Sequence, residues 1–141
     1  MKKTLAVLLL LGLCASGAAQ ATAEKNDPIG RNLFPPDLVM GHQQQIGLEE
    51  DQREAIKKEI GKAQSKFLDL QWQMQRESEK LILLLQAKPV EEARVLVQAD
   101  AVMRLETETK KTHLSLLIRI KNALTAEQQE KLTEVRRSGE K

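Results

Sequence analysis

From Glu49 to Ala87 the apolar residues Ile56, Ile60, Ala63, Phe67, Leu70, Met74, Leu81 and Leu84 fall at alternating spacings of four and three, and only Glu77 interrupts the run. That period belongs to a helix packed along its length on another helix. At 1.5 Å per residue such a helix is roughly 60 Å long. Lys88-Pro89 breaks it, because proline lacks the amide donor and its ring clashes with the preceding turn. A second stripe then runs from about Val90 to Asn122, through Val95, Ala99, Val102, Leu105, Thr109, Thr112, Leu116 and Ile120. It is apolar at both ends and polar in the middle, where residues 106–113 read Glu-Thr-Glu-Thr-Lys-Lys-Thr-His. So short a connection makes the two helices antiparallel neighbours. The expected fold class is therefore all-α, a long antiparallel helical hairpin with short flanking helices. A hairpin cannot bury both faces of such long helices by itself. Either the flanking helices or a second copy must cover the rest, and a closed twofold homodimer is expected.

The flanks carry their own signals. Residues 22–34 mix turn formers with charge and read as a flexible arm. Pro35-Pro36 opens a short helix, since proline is harmless in a first turn. That helix is expected to run to about Gln45 and to stop at Gly47. Leu124-Thr125-Ala126-Glu127-Gln128 begins a last helix with a capping box, in which Thr125 accepts from the third backbone amide and Gln128 reaches back to the cap. It is expected to fray near Arg136-Arg137-Ser138-Gly139. The helical domain thus spans residues 35–137, and residues 138–141 form a disordered tail.

The first 21 residues do not belong to this fold. Met1-Lys2-Lys3 is a basic head, Leu5 to Leu13 an apolar middle, and Ala19-Gln20-Ala21 a small-x-small exit. Together they describe a secretory signal peptide over residues 1–21. The apolar run is too short for a membrane span, which needs about 20 residues, so no span is expected once it is removed. Leu13 precedes Cys14, where a lipid attachment site wants a small residue, so Cys14 reads as one more apolar position of the signal. The remaining chain has no cysteine and can form neither disulfides nor thiolate metal sites. Losing Lys2 and Lys3 lowers the 22 basic residues to 20, against 20 acidic ones. The processed chain is then formally neutral, which argues against nucleic acid as a partner.

Two segments carry a family resemblance. Leu124-Thr125-Ala126-Glu127-Gln128 matches the Leu-Thr-x-x-Gln motif of the Spy/CpxP family, and Ile46-Gly47-Leu48-Glu49-Glu50-Asp51-Gln52-Arg53 looks like a first copy of it. Glu49 stands where Thr, Ser or Asp is usual, which weakens that cap, because a longer carboxylate caps poorly. Phe34-Pro35-Pro36-Asp37-Leu38-Val39-Met40 resembles the entry segment of the branch described as periplasmic heavy-metal sensors. The motif residues are then Leu48, Gln52, Leu124, Thr125 and Gln128. The resemblance implies a curved, cradle-like homodimer of helical hairpins in the periplasm. Some members hold unfolding proteins without ATP; others restrain an envelope-stress sensor kinase or bind zinc, nickel or copper.

The residues themselves offer three candidate sites. For a metal, the histidines are His42 and His113. His42 shares a helical face with Leu38 and Ile46, Met40 points to nearly the opposite side, and Lys110 lies one turn before His113. His42 is the metal candidate, completed by carboxylates across a dimer; a half-buried structural imidazole is the competing reading. For a charged partner, Lys58, Lys62 and Lys66 recur every four residues, and folding at Lys88-Pro89 brings Lys66 level with Lys110 and Lys111. This basic patch could capture unfolded acidic clients, or be a solvated face balanced by Glu54, Glu59 and Asp69. For apolar contact, Leu68, Trp72 and Leu83 lie off the seam and face a short helix, a partner subunit or a client. No nucleophile–base pair, phosphate loop or metal triad is present, so no catalytic residue is expected. The leading functional expectation is an ATP-independent periplasmic chaperone or envelope-stress protein, needing no cofactor. The alternative is a periplasmic zinc, copper or nickel sensor or resistance protein.

Overall fold

The computed structural model describes residues 27–139. The expected signal peptide, residues 1–21, lies outside them. The chain divides after Asn32 into two compact units. In the first, Gly30–Asn32 forms a single 3-10 turn. Asp27 holds it: its side-chain Oδ1 accepts from the Ile29 amide at 2.9 Å and its backbone carbonyl from the Arg31 amide at 3.2 Å.

The second unit contains four helices: α1 (Pro36–Gly41), α2 (Glu50–Leu85), α3 (Glu92–Ala123) and α4 (Ala126–Gly139). Helices α2 and α3 pack side by side as the expected antiparallel hairpin, joined across a cis Lys88–Pro89 peptide. Every residue of the two stripes is buried or half-buried, Thr109 and Thr112 included. Thr109 and Thr112 turn their hydroxyls back onto the carbonyls of Leu105 and Glu108, both at 2.9 Å, so neither leaves a polar group unpaired on the seam.

Three boundaries differ from expectation. The arm was expected to reach residue 34, but Leu33 and Phe34 are 8% and 4% exposed and belong to the core. Arg136 ties them in, donating to the Leu33 carbonyl at 2.6 Å and lying 5.6 Å from the centre of the Phe34 ring. That contact also keeps α4 helical through Ser138 and Gly139, where a disordered tail was expected. The short helix stops at Gly41, not Gln45. Residues 42–47 instead form a turn closed by Ile46 N to His42 O at 3.0 Å and Leu48 N to Gln43 O at 2.8 Å. Gly47 closes it with φ +64°, a conformation costing other residues about 1–2 kcal/mol. The turn carries Ile46 inward to 2% exposure.

The core sits at one end of the hairpin. Phe34, Val39, Ile46, Ile56, Ala63, Leu116, Ile120, Leu124 and Leu132 form one cluster, and Leu38, Met40, Leu48, Ile60 and Phe67 pack against it. Each fully buried Ile or Leu contributes about 1.5–3 kcal/mol. The short helices thus cover one end of the hairpin, the first of the two alternatives the sequence left open. Nothing of the kind happens farther along: between residues 71 and 115 no residue is buried.

Candidate functional site

The two motif copies meet at the base. Thr125 caps α4: its Oγ1 accepts from the Gln128 amide at 3.2 Å, and Gln128 Oε1 accepts from the Thr125 amide at 2.9 Å. At the start of α2, Gln52 Oε1 accepts from the Glu49 amide at 3.1 Å, the same return bond. The two glutamines then join face to face. Gln52 Nε2 donates to Gln128 Oε1 at 2.9 Å, and Gln128 Nε2 donates to Gln52 Oε1 at 2.8 Å. The second hydrogens go to Ala123 O at 2.7 Å and Gly47 O at 3.1 Å, each two residues before the opposite cap. Every donor and acceptor of both amides is used, which is what burial of Gln128 to 6% exposure demands. Leu48 and Leu124 pack on or in the core beside them. The clasp locks the entries of α2 and α4 together; it offers no group for chemistry.

His42 stands at the end of α1, half-buried. Its Nδ1 lies 2.9 Å from the Leu38 carbonyl. A carbonyl can only accept, so Nδ1 supplies the hydrogen of this bond. Metal-bound imidazoles commonly have one nitrogen held in this way by a backbone carbonyl and the other on the metal. Met40 packs against the core and takes no part. His42 borders an open hollow of about 420 Å³ whose other walls are Gly41 and Gln43 to Gln45, none of them a good ligand. Among the described residues no three His, Cys, Asp or Glu side chains converge as a metal site requires. The described residues therefore offer His42 as a single candidate ligand and not a complete set. His113, exposed, lies beside Phe67 with ring centres 6.5 Å apart.

The lysines are divided by their partners. Lys62 pairs with Glu59 at 2.5 Å, and Arg119 of α3 reaches the same carboxylate at 2.6 Å. The hydrogen bond from Lys62, then that from Arg119, hold Glu59 below the usual carboxylate value of 4.5. Lys66 crosses to Glu108 at 2.6 Å. Lys58, Lys110 and Lys111 have no ion-pair partner among the described residues. Lys62, Lys66 and Lys111 do share one groove of about 350 Å³ between α2 and α3, but Glu59 and Glu108 line it too. Glu59, named in the sequence as a balancing charge, does act as one; Glu108 and Arg119 were not anticipated. Both are visible only once the hairpin register is known.

Leu68 and Trp72 are each 54% exposed and stand outside the core cluster. Ile82, Leu83, Leu85, Val90, Leu96, Val97 and Met103, farther along the hairpin, are exposed as well. None of the helices in the described residues is long and apolar enough to cross a membrane.

No curated protein and no solved structure shows significant similarity to the chain. The pattern of one family, described as heavy-metal resistance, matches residues 3–135. That span covers nearly the whole chain, both motif copies and His42 included, and it favours the metal alternative over the chaperone expectation. The chain belongs to this heavy-metal resistance family, among the helical proteins built on the Leu-Thr-x-x-Gln motif.

Proposed function

We propose that the chain acts in the periplasm, after removal of residues 1–21, as a metal-binding sensor or resistance protein and not as an enzyme. The observation that carries this reading is His42, whose ring is held through Nδ1 by the Leu38 carbonyl at 2.9 Å, leaving Nε2 as the nitrogen for a metal. A neutral imidazole suits zinc, nickel and copper(II). Since the described residues of one chain contribute a single candidate ligand, carboxylates of a second copy complete the set. Binding is then linked to association of two chains, and a regulator such as a sensor kinase can read the change. Calorimetry of the processed chain with zinc, copper and nickel tests it. The expected result is micromolar binding of at least one ion, weakened more than about tenfold in His42→Ala, the scale of losing one ligand, and unchanged in His113→Ala. No binding, or equal binding by His42→Ala, overturns it.

A second reading rests on the apolar surface around Leu68 and Trp72. Exposed apolar side chains together with exposed lysines such as Lys58, Lys110 and Lys111 suit the holding of unfolded envelope proteins. Suppression of aggregation of a denatured test protein at near-stoichiometric ratio, lost in Leu68→Ser/Trp72→Ser, supports it; no suppression by the unaltered chain ends it.

A further inference from the structure

Ala63 is the smallest residue of the α2 stripe, and the room it leaves deepens a groove between the two long helices. Ala63 and Leu116, both buried, form the floor. The walls carry Lys62 and Lys66 from α2 and Lys111 and Arg119 from α3, together with the carboxylates of Glu59 and Glu108. These charges do not cancel. Glu59 is shared by Lys62 and Arg119, at 2.5 and 2.6 Å, and so leaves one positive charge over. Glu108 balances Lys66 alone, at 2.6 Å. Lys111 has no ion-pair partner among the described residues and is the second surplus charge. Two hydroxyls also line the groove: Thr112 spends its hydrogen on the Glu108 carbonyl, and Ser115 has its own to give.

We propose that this groove binds a small divalent oxyanion of the tetrahedral kind. The surplus of two positive charges matches such an ion. Cations reach it from both helices, so its oxygens are met from more than one side. Arg119 offers a fork of donors, the lysines offer point charges, and Ser115 adds a neutral donor. The carboxylates hold the head groups of Lys62, Lys66 and Arg119 in place before the anion arrives, which lowers the entropy lost on binding. The apolar floor keeps water from one side and strengthens the attraction. A monovalent anion leaves half the surplus unmatched, and a metal cation meets more positive than negative groups.

Several heavy elements exist in water in this form, chromate and molybdate among them, and inorganic phosphate shares the same chemistry. A resistance protein whose described residues hold no complete cation site has here a place for a metal that arrives as an anion. The site lies apart from His42 and uses none of its surroundings. The remaining lysines separate site from bulk charge. Lys58 and Lys110 do not line the groove, yet each carries the same charge as Lys111.

Calorimetry of the processed chain with chromate, molybdate and inorganic phosphate tests it, at a mildly alkaline pH where all three are divalent. At least one should bind with a Kd below about 1 mM. Nitrate at the same concentration should not displace it. Lys111→Gln breaks no ion pair and should weaken binding more than about tenfold, the scale of losing a hydrogen bond to a charged group. Arg119→Gln should do the same. Lys58→Gln removes an equal charge outside the groove and should change the affinity by less than about twofold, because exposed charges at a distance are screened. No binding of any of the three, displacement by nitrate, or equal losses in Lys58→Gln and Lys111→Gln each overturns the proposal. With the Lys111 dependence in place, tighter chromate or molybdate assigns the groove to metal oxyanions and tighter phosphate assigns it to phosphate. His42→Ala should leave oxyanion binding intact. If zinc, copper and nickel all fail to bind while an oxyanion binds as stated, the His42 reading fails and this one stands.

Discussion

The two halves of the hairpin are built from the same helices and reach different ends. At the base, α1 and α4 close over the seam, and Ile46, Ile56, Leu70, Ile120, Leu132 and Val39 are each at most 2% exposed. Farther along, the stripe continues through Met74, Leu81, Val95 and Val102, yet each of these is only half-buried. Leu83 and Val97 there are 66% and 71% exposed. Two helices side by side can hide one line of side chains from one direction only. A third layer is needed to finish the job, and among the described residues only the base has one. The lesson is that stability and recognition are separated along one continuous element. The base holds the fold, and the distal half leaves its surface for something else to meet.

The sharpest way to break this contrast is truncation. Leu132→Ala or Ile56→Ala removes a side chain that is almost wholly enclosed and should cost about 2–5 kcal/mol in urea unfolding. Leu83→Ala should change monomer stability by about 0.5 kcal/mol or less. Equal losses at the two ends would erase the distinction.

The glutamine clasp sharpens it next. Gln128→Ala leaves Gln52, the Thr125 amide and the Gly47 carbonyl short of partners and should cost about 1–3 kcal/mol. Gln52→Ala should cost less, being half-buried. The double substitution should cost less than the two added together, because the face-to-face pair is lost only once. Simple additivity would mean that the two amides do not act as a unit.

The smallest effect is that of pH. Glu59 at the base is held below 4.5 by Lys62 and then Arg119, and Glu77 in the distal half by Lys80 and then by Gln98, which donates to it at 2.7 Å. A carboxylate whose folded value is lowered stabilises fully above the unfolded value and ceases to do so as pH falls through the lowered one. Stability should therefore be flat above about pH 5 and decline below about pH 4. Both groups are solvent-accessible, so the decline is shallow. Glu59→Gln and Glu77→Gln should each flatten it, and a variant as acid-sensitive as the parent would remove that group from the account.

Much of this was legible in the residues. The four-three stripe and Lys88-Pro89 placed α2 within two residues at each end, because a long amphipathic period and a proline are both strong local signals. The end of α1 was not legible. Gly41 and Gly47 are both possible stops, and only the need to bring Ile46 beneath α2 decides between them. Phe34 read as part of a loose arm because nothing local announces Arg136, about a hundred residues away. Thr125 and Gln128 were recognisable as a cap from spacing alone. Their union with Gln52 was not, since a capping motif says nothing about which other motif lies beside it. The same holds for the lysines. Hairpin folding placed Lys66 near Lys110 and Lys111, but a one-turn difference in register decides whether Lys66 faces those cations or Glu108. His42 could be chosen from composition; the Leu38 carbonyl that holds its ring needed coordinates.

Residue-resolved hydrogen exchange on the dilute, metal-free chain tests the division between the halves most directly. Amides of α2 before Leu70, of α3 after Leu116 and of α4 near Leu132 should exchange slowest, at rates that follow global unfolding. Those from about residue 78 to 105 should exchange by smaller openings, faster by about tenfold for every 1.4 kcal/mol of missing protection. Uniform protection along the whole hairpin under these conditions would contradict the account.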